Sequence, residues 1–505
     1  MFTRGLKKLG KLNVRTLTWA VVAVWSLVCL VTLDYNGPFM DEGIYVTAGQ
    51  RALEGHGLDD GYLGWFAGSL LWPMLAGLGH RVGGLLGARA VALALATLAF
   101  CALVLASRNL YGERAALWTA LAFAASGPVM AVARMAVYDA SALAGIAVSL
   151  YAVTELARSD HRGWAVAAAL AFCWAVFSKY PTALMLLPLV GVWAALRGRK
   201  TGMDLGLFGF SGLAVALAFF LPLREQVAAF IAYRLVHSPA TGVTRSMIAV
   251  DMARLSAAPL LLAAGGWAAG GWRAASGWWA AGGRRGLATV LLSAMWLWPA
   301  YHLVLGDPVS SNKHLVLGFL FGYPLVGLAL ARSWAGMGAR GAEVRGWARW
   351  AGRAVAAAWV LALVAVGAGQ ARRLSVAWPD ARPVAAYLVD QVQPGQQLLI
   401  NESWPYTMYL YEQGRVRTPW DVYDVYRIEH GQSEVDLCEY DWFVDSRGAY
   451  RWPPSIVFDV HRCGVFEPVL RAESTVVSMG TDLNYVRYPV RVVVWKNVAS
   501  VGAEP

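Results

Sequence analysis

The 505-residue chain is predicted to be an α-helical polytopic membrane protein of about eleven transmembrane helices with a small C-terminal extracytoplasmic α/β domain. Three observations predict it. The first is composition: 58% of residues are hydrophobic and 24 are Trp, with a mean hydropathy of +0.47, whereas a soluble domain is about 45–50% apolar. The second is the recurrence of apolar runs close to the length that spans a bilayer, about 17–25 residues. The third is a change of charge balance along the chain. Residues 1–370 carry 30 Lys/Arg against 15 Asp/Glu, and residues 371–505 carry 13 against 17.

The apolar runs fall near 17–33, 89–106, 115–132, 140–157, 164–178, 181–196, 203–222, 255–271, 287–304, 315–331 and 354–369. The basic N-terminus before the first run resembles a signal peptide, but no small-residue cleavage site follows, so the run reads as an uncleaved first helix. Placing the N-terminus in the cytoplasm puts 20 Lys/Arg in cytoplasmic segments and eight in the opposite loops, as the positive-inside rule requires. An odd number of spans then places residues 371–505 outside. The basic excess is thereby assigned to membrane orientation, and no basic-aromatic groove points to nucleic acid.

The first outer loop, 34–88, is long. Residues 43–55 read as a short amphipathic helix, and 62–80 are aromatic and apolar yet too broken by Gly and Pro73 to span, so they are expected in the membrane interface. Beyond 371, residues 382–389 read as helix, and 397–401, 442–445 and 492–495 as strands. The domains expected are therefore 1–370, containing the spans and the loop 34–88, and 371–505. Cys29, Cys101 and Cys173 lie in apolar runs as small hydrophobes. Cys438 and Cys463, in an extracytoplasmic tail, read either as a disulfide or as two free thiols.

In this orientation the unusual polar residues converge on one face. Asp41 and Glu42 follow the first span, Arg134 and Asp139 frame a short turn, Lys179 lies between the fifth and sixth spans, and Lys313-His314 precede the tenth. An ionisable residue beside hydrocarbon is costly and is a functional-site hypothesis by default. Each also has a plainer reading: a solvated loop, an Arg134–Asp139 pair at a helix end, or lysines snorkelling to the interface. Gathered together, they suit chemistry on a lipid-linked anion. A carboxylate would take a proton from an acceptor hydroxyl, and cations would offset the charge of a departing phosphate.

These residues stand in recognisable stretches: Phe39-Met40-Asp41-Glu42-Gly43-Ile44-Tyr45, Gly87-Ala88-Arg89, Arg134 to Asp139, Ser178-Lys179-Tyr180 leading to Pro188, and Lys313-His314 followed by Tyr323-Pro324. Over roughly residues 15–370 the chain resembles the GT-C class of polytopic glycosyltransferases, most closely protein O-mannosyltransferases and lipid A aminoarabinose transferases. It departs from them before Pro73, where the Pro-Pro pair common in relatives is missing. The resemblance implies inverting transfer of a sugar from a polyprenyl-phosphate donor to an acceptor hydroxyl on a glycan, lipid or protein. It assigns Asp41 and Glu42 to catalysis, with Asp41 as base. Arg134, Asp139, Lys179, Lys313, His314, Tyr45 and Tyr323 are assigned to substrate binding. It implies no nucleotide sugar, no cofactor and no tightly bound metal. The rival readings are a transporter or flippase of lipid-linked glycans, a sensor whose outer domain binds a ligand, and a metal-dependent oligosaccharyltransferase. A transporter would hold its charges near the bilayer midplane, often on broken helices.

Overall fold

A computed structural model of the chain describes residues 13–236, 244–272, 281–308, 310–335, 342–424, 437–446, 465–479 and 485–498. The protein is an α-helical polytopic membrane protein with a C-terminal unit built on a β-sheet. Its helices are α1 Val14–Val31, α2 Met40–Leu53, α3 Leu71–Tyr111, α4 Glu113–Ala124, α5 Gly127–Arg134, α6 Tyr138–Ser159, α7 Gly163–Ser178, α8 Leu186–Arg197 and α9 Thr201–Phe220. They continue with α10 Arg224–Val236, α11 Arg245–Trp272, α12 Ala281–Leu305, α13 Ser311–Ala335 and α14 Ala342–Ser375.

Among the described residues, eight helical segments are long and apolar enough to cross a membrane, or nine if α4 and α5, bent by 69° at their junction, count as one span. The eleven expected spans all fall on helices. By that criterion α7 is a shorter apolar helix, and α8 and α9 lie within the single stretch Tyr180–Phe220. The helix α13 is the buried axis of the bundle. Its residues from Leu315 to Leu330 are almost wholly enclosed, while α1 and α9 expose much apolar surface, as lipid-facing helices do.

The first outer loop folds into defined parts. α3 breaks at Gly83 and at Gly84, whose φ of 59° lies in the left-handed region, open to glycine without a Cβ penalty. The segment before the break doubles back on the span after it, with Gly79 and Gly87 in backbone contact. This is the stretch expected to lie in the interface without spanning. The short helix expected at 43–55 is present as α2, but it has no open face over most of its length: from Glu42 to Arg51 every residue is buried. Gly43 lies against the carbonyl of Trp404 and Gly49 against that of Pro73, so backbones close over it from two sides and leave no room for a Cβ.

The C-terminal unit carries α15 Arg382–Gln391, α16 Trp404–Glu412 and strands β1 Leu398–Ile400, β2 Val422–Asp424, β3 Trp442–Asp445, β4 Phe466–Met479 and β5 Tyr485–Asn497. The sheet runs β2-β1-β3-β5-β4. β1 pairs in parallel with β2 and β3, and β5 is antiparallel to β3 and β4. β1 is buried throughout, as an apolar central strand should be. The expected helix at 382–389 and strands at 397–401, 442–445 and 492–495 are all present. Cys438 is disulfide-bonded; Cys463, its expected partner, lies outside the described residues.

This unit is clasped to the first loop. Asn36 donates to the carbonyls of Ser375 and Trp378 at 3.2 and 3.1 Å, and the Trp378 indole donates to the Gly37 carbonyl at 3.2 Å. Arg382 pairs with Asp34 at 2.7 Å. Tyr62, whose hydroxyl donates to the Ile44 carbonyl at 2.9 Å, packs its ring against Trp404 and Trp420 with centroids 5.5 and 5.4 Å away.

Candidate active site

The site begins with a lock formed by two buried ions. Arg89, in the second segment of α3, and Glu42, in the first turn of α2, are both fully buried. Arg89 Nε and Nη2 each donate to a Glu42 oxygen at 2.8 Å. Its other donors reach the carbonyls of Leu33, Asn36 and Gly37 at 2.8, 3.0 and 3.0 Å. All five guanidinium N–H groups are thereby used. Glu42 also accepts from the backbone amides of Phe39 and Ala136, each at 2.8 Å. A buried ion is tolerable only when paired and saturated with hydrogen bonds, and this pair is. It fixes the end of α1, the start of α2 and the turn before α6 around the second segment of α3.

One residue earlier, Asp41 leaves the lock and forms an ion pair with Lys313, in the first turn of α13. Beside it Lys179, at the end of α7, pairs with Asp139, in the first turn of α6, at 2.5 Å. The two pairs form one cluster, since each ammonium acts electrostatically on both carboxylates. Accessibility separates the carboxylates. The Asp41 side chain is 15% exposed against 6% for Lys313, 0% for Asp139 and 2% for Lys179. Asp139 Oδ2 is buried with no hydrogen-bond partner among the described residues. Aromatic rings line the cluster. Lys313 lies over Phe39 at 5.2 Å and Lys179 over Tyr138 at 4.7 Å, while Tyr138 packs against Tyr45 at 4.7 Å between centroids. Burial, then the nearby Asp41 carboxylate, pushes the Tyr45 hydroxyl well above the usual phenol range, so Tyr45 stays neutral and able to donate a hydrogen bond.

The remaining residues singled out from sequence divide. His314 adjoins the cluster, buried beside Lys313. Arg134 does not pair with Asp139. It turns to the Ser375 hydroxyl at 2.8 Å and the Met130 carbonyl at 3.2 Å, and covers the Tyr35 ring at 4.9 Å. Tyr323 is far from the cluster. Ten residues beyond Lys313 on the same helix, it lies about 15 Å along the axis, enclosed by Phe123 and Phe319 at 5.5 Å each. Glu42 has both oxygens occupied by the lock, which leaves no lone pair free for a substrate proton. Two residues join the picture that were not selected as site residues. Arg89 carried a sequence signal, a cation opening an apolar run. Tyr138 carried none beyond its place in the turn. Among the described residues, no group of three or more His, Cys, Asp or Glu gathers where a metal ion could be held.

Helices of this order, followed by a sheet-based unit, form the GT-C-like polytopic glycosyltransferase fold. Residues 70–224 match the family described as dolichyl-phosphate-mannose-protein mannosyltransferase. Among solved structures, ArnT from Cupriavidus metallidurans in the apo state is similar with a TM-score of 0.59 at 16% identity, over 96% of this chain and 98% of that one. The same protein bound to undecaprenyl phosphate gives 0.52 at 18% identity, over 96% and 99%. The oligosaccharyltransferase of Archaeoglobus fulgidus in the apo form gives 0.51 at 12% identity, over 85% and 69%. No curated protein matches the chain.

Proposed function

We propose that the protein is a membrane glycosyltransferase that moves one sugar from a polyprenyl-phosphate donor to an acceptor hydroxyl, with inversion, at the outer face of the cytoplasmic membrane. The observation that carries the reading is the paired cluster: two lysines from distant helices meet two carboxylates, and of the carboxylates Asp41 alone keeps appreciable exposure. The binding of undecaprenyl phosphate by a protein of the same fold supports the lipid class.

In this mechanism the ion pair is exchanged. The donor phosphate draws Lys313 and Lys179 toward its oxygens, and Asp41, relieved of its cation, becomes a stronger base as the donor arrives. It takes the acceptor hydroxyl proton. The acceptor oxygen bonds to the anomeric carbon from the face opposite the phosphate, the bond from that carbon to the phosphate oxygen breaks, and the electron pair leaves with the lipid phosphate. The lysines offset its charge, as transition-state stabilisation requires. Asp139 holds Lys179 in place, Tyr45 donates to substrate, and Glu42 and Arg89 position the loop that carries Asp41. Arg134 supports the turn before α6 at a remove from substrate.

The topology that goes with this has α7, α8 and α9 each crossing the bilayer, which makes eleven spans with residues 1–370 as the membrane domain. It puts the unit at 371–505 outside, where it covers the loop and meets the glycan, lipid or protein acceptor. Asp41→Asn is expected to lower transfer from undecaprenyl-phosphoryl mannose, glucose or arabinose by about 10²–10⁴-fold, the share of a positioned general base, in protein that remains folded at the assay temperature and still binds undecaprenyl phosphate. Turnover near the wild-type rate would remove Asp41 as base. Activity is expected to survive a chelator; loss in EDTA, restored by a divalent ion, would turn the reading toward metal-dependent oligosaccharyl transfer.

A further inference from the structure

The histidine beside Lys313 belongs to a relay that fixes what it can bind. His302, near the end of α12, is fully buried and His314 nearly so. His302 Nδ1 lies 2.6 Å from the Asp307 backbone carbonyl, and a carbonyl only accepts, so Nδ1 carries the proton. His302 Nε2 lies 2.9 Å from His314 Nδ1. In a neutral His302 that nitrogen is an acceptor, so His314 Nδ1 must donate, and His314 Nε2 is left as a bare lone pair. It is buried and has no partner among the described residues. Trp298 packs against the ring at 4.3 Å between centroids, tilted by 37°, which restricts its rotation.

The charge state follows from the surroundings. Lys179 and Lys313 both act electrostatically on His314, while Asp41 and Asp139 are each engaged by a lysine. A proton on His314 would place a third buried cation beside two lysines whose carboxylates are already paired, an arrangement that low polarity punishes. Asp307 meets His302 through its carbonyl, and its carboxylate also acts on that ring electrostatically, against burial and the charge of Lys179.

We infer that His314 Nε2 is a hydrogen-bond acceptor for a hydroxyl of the donor sugar, and that His302 is a positioning residue that fixes the tautomer. The inference rests on the proposed sugar-transfer reading and changes one part of it. A bare lone pair repels a phosphate oxygen, so His314 does not share the phosphate with the lysines. It reads the sugar that the phosphate carries, and a donor lacking that hydroxyl would leave a buried acceptor unpaired, which is how polar sites reject analogues.

Side-chain ¹⁵N resonances of histidine-labelled full-length protein in bilayers test this, with the His314 signals identified by His314→Gln. The expected form has Nδ1 protonated and Nε2 bare. Undecaprenyl phosphate alone should leave Nε2 in place, and at least one of the mannose, glucose and arabinose conjugates should shift it. An Nε2–H or imidazolium form overturns the inference. So does an Nε2 shift produced equally by undecaprenyl phosphate, or silence toward every conjugate while undecaprenyl phosphate binds. His302→Leu should abolish the tautomer preference and raise KM for the sugar donor about tenfold, the size of one lost hydrogen bond, without changing inhibition by undecaprenyl phosphate. His302→Gln, whose amide oxygen can still accept from Nδ1, should restore both; equal KM in all three proteins counts against the relay. The tautomer readout needs no turnover, so failure of the transferase reading, seen as full activity in Asp41→Asn, is distinguishable from failure of the relay.

Discussion

Asp41 and Glu42 are neighbours in sequence with opposite environments, because consecutive helical residues point about 100° apart. Asp41 meets Lys313 and stays partly open, while Glu42 is enclosed by Arg89 and two backbone amides. Removing one partner of a saturated buried pair costs about 3–5 kcal/mol, whereas replacing both by apolar groups costs far less. Glu42→Gln and Arg89→Met are each expected to lower the melting temperature in detergent sharply, and Glu42→Leu with Arg89→Met to cost less than either single change. Additive losses in that cycle would mean the two ions act independently. The acidic pair was legible in sequence as a costly feature beside a membrane, but its division of labour was not. Nothing local distinguishes the residue whose partner is 47 positions away from the one whose partner is 272 away. His302 was equally hidden, since an isolated histidine at the end of an apolar run signals nothing until its neighbour across the turn is known.

At the level of elements, α2 shows where periodicity misleads. Its mixture of polar and apolar residues read as a short amphipathic helix, which implies a polar face left open, yet glycines let backbones cover it. A polar residue in such a helix is buried when a partner such as Arg89 reaches it, and pattern alone cannot see the partner. Gly49→Val would drive a side chain into the Pro73 carbonyl and the Gly77 amide. It should cost about 1–3 kcal/mol through overpacking and reduce transfer by moving Asp41 off Lys313. The control is Gly202→Ala in α9, where a new Cβ meets nothing within 4 Å; it should be neutral or stabilise by up to about 1 kcal/mol. Thermal unfolding and initial rates of both variants check the pair, and equal behaviour would deny α2 its role as the carrier of Asp41. In the C-terminal unit β1, β3 and the end of β5 were readable, because short β-branched and aromatic runs between turn residues have few other uses, whereas β2 and β4 were not expected.

For the whole molecule, the proposed orientation rests on the distribution of Lys and Arg between the spans, 20 in the cytoplasmic segments against eight in the opposite loops. With the five native cysteines replaced, Asp390→Cys should react with a membrane-impermeant maleimide in intact cells and Arg199→Cys only after permeabilisation. Labelling of Arg199→Cys alone would invert the proposed sidedness and place the acceptor in the cytoplasm, and labelling of both would refute the proposed topology. Span number was hard to read, since α7 has only 16 residues and the basic turn between α8 and α9 interrupts one continuous apolar stretch. The ion pair of Asp41 with Lys313 has a consequence for biogenesis. During synthesis the nascent chain carries its acid through the insertion of most of the bundle, and the matching ammonium emerges from the ribosome 272 residues later. On the proposed reading, newly made protein stays silent until α13 has entered the membrane, so translation itself would set the moment at which transfer can begin.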